Sequence, residues 1–532
     1  MALGVAMVAV PRLDAFSYSD SLYVGEYKFY MDSDPWLTSS NAAGLTRFSG
    51  KSLSDGRIFA DYNSGGFCDY YEAPESVSFG GAVESILRLN KKTVLSGGII
   101  YNHFNGSRMA GSAFINPDKK PFDIVEYDLS NLGRKERDTY HLYGAVGSAL
   151  SRTVSSGFRM NYTSANYAKY KDLRHKNSLM DLTISAGLSW KPLQNLTIGT
   201  DAIYLRSIEI LRFSIYGSED RVYNSLISYT AFMGRKEQFG ENGYTDKNNE
   251  MPFLDERFGA DVQLEWNIIP GLNWFVSASW QDRSGYYGKK STYTISYNEH
   301  EGDLKTVGTR LSLYGRSWRH VLEATYSVEK IQDYSNTYRE VEKDNGARYY
   351  EYFTPVLRSA KSFTDISIDY SGAIGLRNGR PVWFIEAGVH GSDRKQTGYS
   401  HPYYRLQNLD TYAVSASVKR YFIMKKGIFS TKVGASFSEG SGSVYKDGLL
   451  AQPSSKQTPP PVMETYLYRN YEFLTAGLLG LNASVRYDIT GLSAGLSPYL
   501  SLSGKYLFST GDISYLENSH RTTLSLTLGC EF

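Results

Sequence analysis

Alternation with a period of two runs through most of this 532-residue chain, and it is clearest at the end. Leu524, Leu526, Leu528, Cys530 and Phe532 share one parity; Thr523, Ser525, Thr527, Gly529 and Glu531 share the other. A strand places such sets on opposite faces, so one face is apolar and the other polar. Phe258, Ala260, Val262, Leu264 and Trp266 oppose Gly259, Asp261, Gln263 and Glu265 in the same way. So do Leu182–Trp190 and Leu479–Tyr487. Eighteen strands are expected, starting near Arg57, Val77, Val94, Thr139, Val154, Asn177, Leu196, Arg257, Leu272, Asp303, Arg319, Phe363, Pro381, Leu409, Ile428, Leu474, Leu496 and His520. The Leu226–Thr230 run, inside a long polar stretch, is a possible further hairpin, so the range is 16–20 strands.

The connections alternate in length. Asn90–Lys92, Ile269–Gly271, Gly315–Trp318, Asn378–Arg380, Lys425–Gly427 and Thr490–Ser493 are tight. The intervening stretches Asn105–Asp138, Phe213–Asp255, Tyr286–Gly302, Asp333–Ser362, Gln396–Asn408 and Gly440–Asn470 are long and polar. A soluble sandwich has no reason to sort its loops this way, whereas a transmembrane barrel has short periplasmic turns and long extracellular loops. The expected fold is therefore all-β: a transmembrane antiparallel up-and-down β-barrel of about 18 strands. Lumen-facing and lipid-facing residues alternate, so such a chain has no hydropathy signature, consistent with its mean hydropathy of −0.37. The 44 Tyr and 49 Gly suit aromatic interface belts and crowded, curved strands.

Residues 1–15 read as the tail of a signal peptide, with cleavage after Ala15, and residues 16–56 as an N-terminal periplasmic or lumenal segment. The barrel proper is expected over 57–532. Trp36 and Leu45, set among Asp32, Asp34 and Asn41, would gain from a shielded site; Trp36, Asn41, Gly44 and Leu45 are the candidate plug residues. Parity assigns Asp261, Glu265, Glu323, Glu329, Asp365, Asp369 and Glu386 to an acidic lumen wall, and Lys419, Lys432, Arg486 and Lys505 to a basic wall across the pore from it. Cys68, placed in the upper part of the first strand, and Cys530, near the end of the last, are expected to be too far apart to bond.

Recognised nucleotide, protease, zinc and esterase motifs are missing, and two cysteines exclude a disulfide framework. His141, His390 and Ser148 lie on strands with no pairing fixed by sequence. No catalytic residue, cofactor, metal site or nucleic-acid partner is expected, and no enzyme activity.

The apolar C-terminal strand closed by Phe532 resembles the terminal strand of bacterial outer-membrane barrels. By that resemblance Phe532 belongs to the signal read by the barrel-assembly machinery. As a whole the Tyr-rich chain resembles exported barrels of the Bacteroidota. Asn41-Ala42-Ala43-Gly44-Leu45 resembles the Asn-Pro-Ala-Gly-Leu segment of the long-chain fatty-acid transporter family, with Ala42 in place of Pro. That resemblance implies a small hatch inside the barrel; a periplasmic tail is the alternative. The expected location is the bacterial outer membrane, among its lipids. The expected task is a channel or transporter for small polar solutes with a partly filled lumen. The alternative is an outer-membrane anchor, assembly or surface-binding protein whose long loops engage a partner, such as a surface lipoprotein or a glycan.

Overall fold

A computed structural model describes residues 26–532 except 218–220, 242, 248, 292, 378–379, 491 and 493–494. The expected signal peptide lies outside the described residues, as do parts of the tight turns at 378–380 and 490–493.

The barrel is one closed antiparallel sheet of 18 strands. In chain order they are β1 (Ser52–Ser64), β2 (Glu75–Arg88), β3 (Thr93–Met109), β5 (Gly133–Ala149), β6 (Val154–Lys169), β7 (Arg174–Leu193) and β8 (Leu196–Ser214). There follow β11 (Met251–Ile269), β12 (Leu272–Ser291), β13 (Thr294–Tyr314), β14 (Trp318–Ser335), β17 (Val356–Ile374), β18 (Trp383–Ser400) and β19 (Tyr403–Ile423). The last four are β20 (Gly427–Leu449), β21 (Leu478–Ile489), β22 (Ser497–Ser509) and β23 (His520–Glu531). Closure comes from β1 against β23, with Gly56 opposite Cys530 and Tyr62 opposite Leu524. Among the described residues five short strands stand outside the barrel sheet: β4 (Asp123–Glu126), β9 (Asn224–Thr230) and β10 (Met233–Gln238) form one small sheet, and β15 (Tyr338–Glu342) pairs with β16 (Arg348–Tyr352).

Parity sorts the two faces. Val262, Trp266, Trp280, Leu311, Leu502 and Leu526 point outward and are exposed. Asp261, Gln263 and Glu265, between them in sequence, point inward. These outward apolar residues sit in the half of the barrel nearer the tight turns. Toward the loop end the outward positions become charged, as at Asp303 and Lys305 of β13. A membrane needs about 9–11 residues per strand, yet β20 has 23. The strands therefore continue well beyond any lipid belt on the loop side.

That extra length corrects several expected loops. Tyr286–Gly302 and Gln396–Asn408 are mostly strand: β12 runs to Ser291 and β13 starts at Thr294, and β18 runs to Ser400 and β19 starts at Tyr403. Their polar sequences reflect strands in water on both faces, which lose the apolar alternation. The strand expected from Leu474 starts at Leu478 instead, because Glu464–Thr475 forms a helix, α3. Its buried Tyr466, Leu467 and Asn470 follow helical spacing and turn into the barrel mouth. Leu226–Thr230 does form a hairpin, β9–β10, but inside the mouth rather than in the wall. The first barrel strand begins at Ser52, not Arg57.

Both cysteines are free. Cys68 lies in the β1–β2 loop beyond the end of the first strand, where Arg469 donates to its carbonyl at 3.1 Å. The neighbouring Phe67 N–H donates to the His520 carbonyl, ten residues up β23 from Cys530. At about 3.3 Å per residue that separates the thiols by roughly 30 Å, against about 6 Å between the Cα atoms of a disulfide.

Candidate lumenal plug and cap

Residues 26–50 fold inside the turn end of the barrel. They form two short helices, α1 (Tyr27–Met31) and α2 (Pro35–Thr38), and a 3-10 turn over Ala42–Arg47. Asp34 caps α2 by accepting from Trp36 N–H at 2.9 Å, and Asn41 caps the 3-10 turn by accepting from Ala43 N–H at 3.1 Å. Trp36, Asn41 and Leu45 are all fully buried, and Gly44 is buried between them. Gly44 packs on the Trp36 carbonyl so closely that a Cβ there would stand 2.4 Å from its oxygen.

The wall is built to receive this segment. Inward-facing glycines of neighbouring strands stand side by side, Gly147 of β5 opposite Gly157 of β6, and Gly157 opposite Gly187 of β7. Together they make a lane free of side chains. A Cβ on Gly147 would meet Ala42 O at 2.5 Å, one on Gly157 Ala43 N at 2.1 Å, and one on Gly187 Asn41 Oδ1 at 2.4 Å. Gly199 of β8 clears room for the Trp36 ring in the same way, at 2.6 Å. Only backbone without side chains admits such an approach.

Polar contacts fix the segment in its lane. Asn41 Nδ2 donates to the Leu188 carbonyl at 2.9 Å and to Gln263 Oε1 at 3.0 Å. Arg47 grips Glu265 with both terminal nitrogens, one at 2.9 Å, and its Nε reaches Asp34 at 2.8 Å. Trp36 Nε1 and Asn273 Nδ2 also donate to Glu265, at 2.9 and 2.7 Å. At the other side of the lumen Glu26 takes Lys419 at 2.5 Å and the Tyr421 hydroxyl at 3.2 Å. Burial alone would raise the Glu26 carboxyl, but Lys419 and Arg486 outweigh it and hold the group below its usual range. Asp32 is pushed up to about 6 by burial, partly offset by Lys28 and Arg310.

The loop end is closed by a second structure. The β3–β5 loop dips inward and carries β4, which pairs with β9 and through it β10. Under this sheet lies an aromatic core that includes Phe114, Phe122, Tyr244, Phe253 and Tyr287. The tip of the β3–β5 loop reaches the wall: Lys120 Nζ sits 3.1 Å from Glu209 and 4.2 Å from the centre of the Phe253 ring. Lys119 pairs with Asp365 at 2.9 Å. Ser359 and Arg405 donate to the backbone carbonyls of Pro121 and Ala231, tying the cap to β17 and β19. Helix α3 locks the edge: its Tyr466 hydroxyl accepts from Gly111 N–H at 3.2 Å, and Asn470 donates to Asp69 at 2.9 Å. Burial pushes the Asp69 carboxyl up to about 7 against the pull of Asn470.

The expected wall residues divide by what they touch. Glu265 and Asp261 hold the plug, through Arg47 and through Ser40. Glu323 pairs with Arg310, and Glu329 with Arg283 and Arg257 at 2.9 and 3.2 Å. Lys419 holds Glu26, and Arg486 bridges Asp488 and Glu531 at 2.6 and 3.0 Å. Glu386 pairs with Lys432 across the single strand between them, so the acidic and basic walls adjoin there instead of facing one another across the pore. Their opposite charges on near-neighbour strands lower each other's cost of leaving water. Lys505 is exposed and makes no ion pair among the described residues. Asp365 and Asp369 keep 41 and 44 % of their side-chain surface, and His390, 3.4 Å from Asp369, keeps 49 %. Around them the inward face of β18–β22 is small and polar, with Ser415, Ser436, Ser484 and Ser503. Between plug and cap the inner face thus keeps solvent-exposed polar side chains.

His141, His390 and Ser148 are not brought together; His141 meets Thr163 and Ser148 meets Thr93. Among the described residues no cluster of three or more His, Cys, Asp or Glu side chains is arranged for a metal. Sequence reasoning missed Arg47, the glycine lane and the Lys119–Lys120 tip. Matching parity of glycines on consecutive strands is the signal that marks the lane.

Comparison with known families places this architecture. A family model covering residues 42–532, from the glycine-lane segment to the last residue, matches the chain. The chain belongs to DUF6850, a family of unknown function. No curated protein matches it. Among solved structures, it is similar to the outer membrane transporter YddB from Escherichia coli, at 8% identity, a TM-score of 0.41, and 91% of this chain covered against 81% of that one. It is also similar to BauA, the ferric preacinetobactin receptor of Acinetobacter baumannii, at 8% identity and a TM-score of 0.39, covering 90% and 80% of the two chains. The ferric-catecholate import receptor Fiu of E. coli K12 shows 9% identity and a TM-score of 0.39 over 91% and 82%.

Proposed function

We propose that this DUF6850 barrel is a gated conduit for small polar solutes in the bacterial outer membrane, closed at rest by residues 26–50 on the periplasmic side and by the loop cap outside. The observation that carries the reading is the solvent-exposed polar inner face between plug and cap, where Asp365, Asp369 and His390 stand. A barrel serving only as an anchor gains nothing from a polar, solvated inner face between a plug and a cap. Glu323 and Glu329 hold buried arginines, so with the cap and its Lys119 withdrawn the free charges of the lumen are Asp365 and Asp369 against Lys505. Such a lumen favours polar or zwitterionic solutes and cations over anions, and does not suit an apolar acyl chain. The residues that resemble the fatty-acid transporters, Asn41–Leu45, lie in the plug and not on that inner face.

The runner-up reading, a surface-binding or assembly protein whose partner is a glycan or lipoprotein, draws on the β15–β16 hairpin. Phe353 beside it is 50% exposed, and Tyr352 38%. No enzyme activity is part of either reading. Planar-bilayer recording separates the two. A barrel lacking residues 26–50 is expected to show larger and more frequent conductance steps than the full chain, with a reversal potential favouring cations. A deletion no more conductive than the full chain would move the weight to the surface-binding reading.

A further inference from the structure

The tip of the β3–β5 loop is held by a row of wall donors aimed at its backbone. Three consecutive carbonyls are taken by three side chains. Arg283 Nη1 of β12 donates to Lys119 O at 3.0 Å, Lys361 Nζ of β17 to Lys120 O at 2.9 Å, and Ser359 Oγ of β17 to Pro121 O at 2.9 Å. Two wall carboxylates flank this row and receive the tip's ammonium groups. Glu209 of β8 meets Lys120 at 3.1 Å, and Asp365 of β17 meets Lys119 at 2.9 Å. Phe253 of β11 lies under the Lys120 ammonium, 4.2 Å from it.

Holding a loop shut does not by itself call for this pattern. Lys361 makes no ion pair among the described residues, and its ammonium is given to a neutral carbonyl. Asp123 and Asp333 attract it from beyond ion-pairing distance. A latch is stronger when both partners are charged. The tip has a carboxylate to offer, Asp118, but it accepts from the Tyr71 hydroxyl of the cap instead. The wall thus reads backbone amides and cationic side chains, which any peptide of suitable sequence presents. The Glu209 carboxylate is only 1% exposed, and a buried carboxylate left without a cation is costly, so a neutral occupant does not replace Lys120. Lys119 and Asp365 keep 43 and 41% of their side-chain surface. That half of the seat borders the solvated inner face, where a solute can meet it.

We propose that Arg283, Ser359, Lys361, Glu209 and Asp365 form a binding site for a short cationic peptide, and that the Lys119–Pro121 tip occupies it at rest as an internal stand-in. A bound peptide places two basic side chains on Glu209 and Asp365 and its carbonyls on the donor row. It thereby displaces the tip and loosens the cap. The site does not depend on conduction; that its ligand is the conduit's solute rests on the reading above.

The probe is an acetylated, amidated peptide with the sequence of residues 116–122, titrated calorimetrically into the detergent-solubilised full chain. Lys119→Ala/Lys120→Ala empties the seat of its own cations, and this variant is expected to bind the peptide at least tenfold more tightly than the wild type. Norleucine at both lysines of the peptide, or Lys361→Met added to the variant, is expected to lose that gain. Equal binding by variant and wild type, or by the lysine and norleucine peptides, overturns the proposal. Should the variant fail to fold, the wild type serves: excess lysine peptide is expected to speed hydrogen exchange of residues 116–124, and unchanged exchange overturns the proposal. Binding without passage of the peptide through liposomes carrying the barrel that lacks residues 26–50 supports the site and counts against the conduit alone.

Discussion

Gly157→Val unseats the plug. The new Cβ would lie 2.1 Å from Ala43 N and 2.2 Å from Ala42 C, both backbone atoms, so no side-chain rotation relieves the contact. Overpacking a close-packed site costs about 1–3 kcal/mol, which at 1.4 kcal/mol per factor of ten is roughly five- to 150-fold in the ratio of seated to unseated plug. The strand itself tolerates valine, a good β former, and the new side chain points into the lumen and away from lipid. The expected result is a folded barrel with residues 26–50 newly open to protease. Arg47→Ala acts on the same seat by a different route, since Glu265 is left buried at 1% exposure without its cation. Breaking one side of such a buried pair typically costs about 3–5 kcal/mol. Full protection of residues 26–50 in Gly157→Val would mean that the lane does not hold the plug.

Phe253→Ala should open the opposite end. Phe253 is 1% exposed and packs edge-on against Phe114 at 5.6 Å and Phe122 at 6.1 Å. It is also the ring beneath Lys120. Truncating a buried phenylalanine costs about 3–5 kcal/mol through lost burial and the cavity left behind. Because Phe114 and Phe122 belong to the β3–β5 loop, the cost falls on the cap more than on the wall. Hydrogen exchange of residues 110–132 is expected to accelerate by at least a hundredfold, while β21–β23, remote from this core, keep their protection. Uniform loss of protection around the barrel would show that the cap is not a separate unit.

These two sites differ in how far the sequence announces them. The wall is legible because each strand carries its own evidence: Leu524, Leu526 and Leu528 face out whatever lies opposite. The mouth is not legible in that way. Residues 464–475 are read as loop and strand because helical burial of Tyr466 and Asn470 depends on Gly111 and Asp69, hundreds of residues away. The polar strands above the lipid belt look like loops, since water on both faces removes the alternation. Trp36 and Leu45 among polar neighbours do suggest a shelter, but not which wall supplies it. Parity places Glu265 and Asp365 on the inner face, and says nothing of the Arg47 and Lys119 that meet them. The separation of the walls into two facing fields fails for a related reason: Glu386 and Lys432 are near in the sheet, and opposite charges that are near pair.

The central claim is that residues 26–50 seat in the lumen and close it. Thr46 Oγ1 and Ser155 Oγ lie 3.3 Å apart across the plug–wall boundary, close enough for a disulfide once both are cysteine. The most direct measurement is single-channel recording of Thr46→Cys/Ser155→Cys, oxidised and then reduced in the same bilayer. The account predicts that the disulfide forms in the folded barrel, that the oxidised protein stays closed, and that reductant restores the openings of the wild type. Failure of the two cysteines to bond, or openings that are the same before and after reduction, would contradict it.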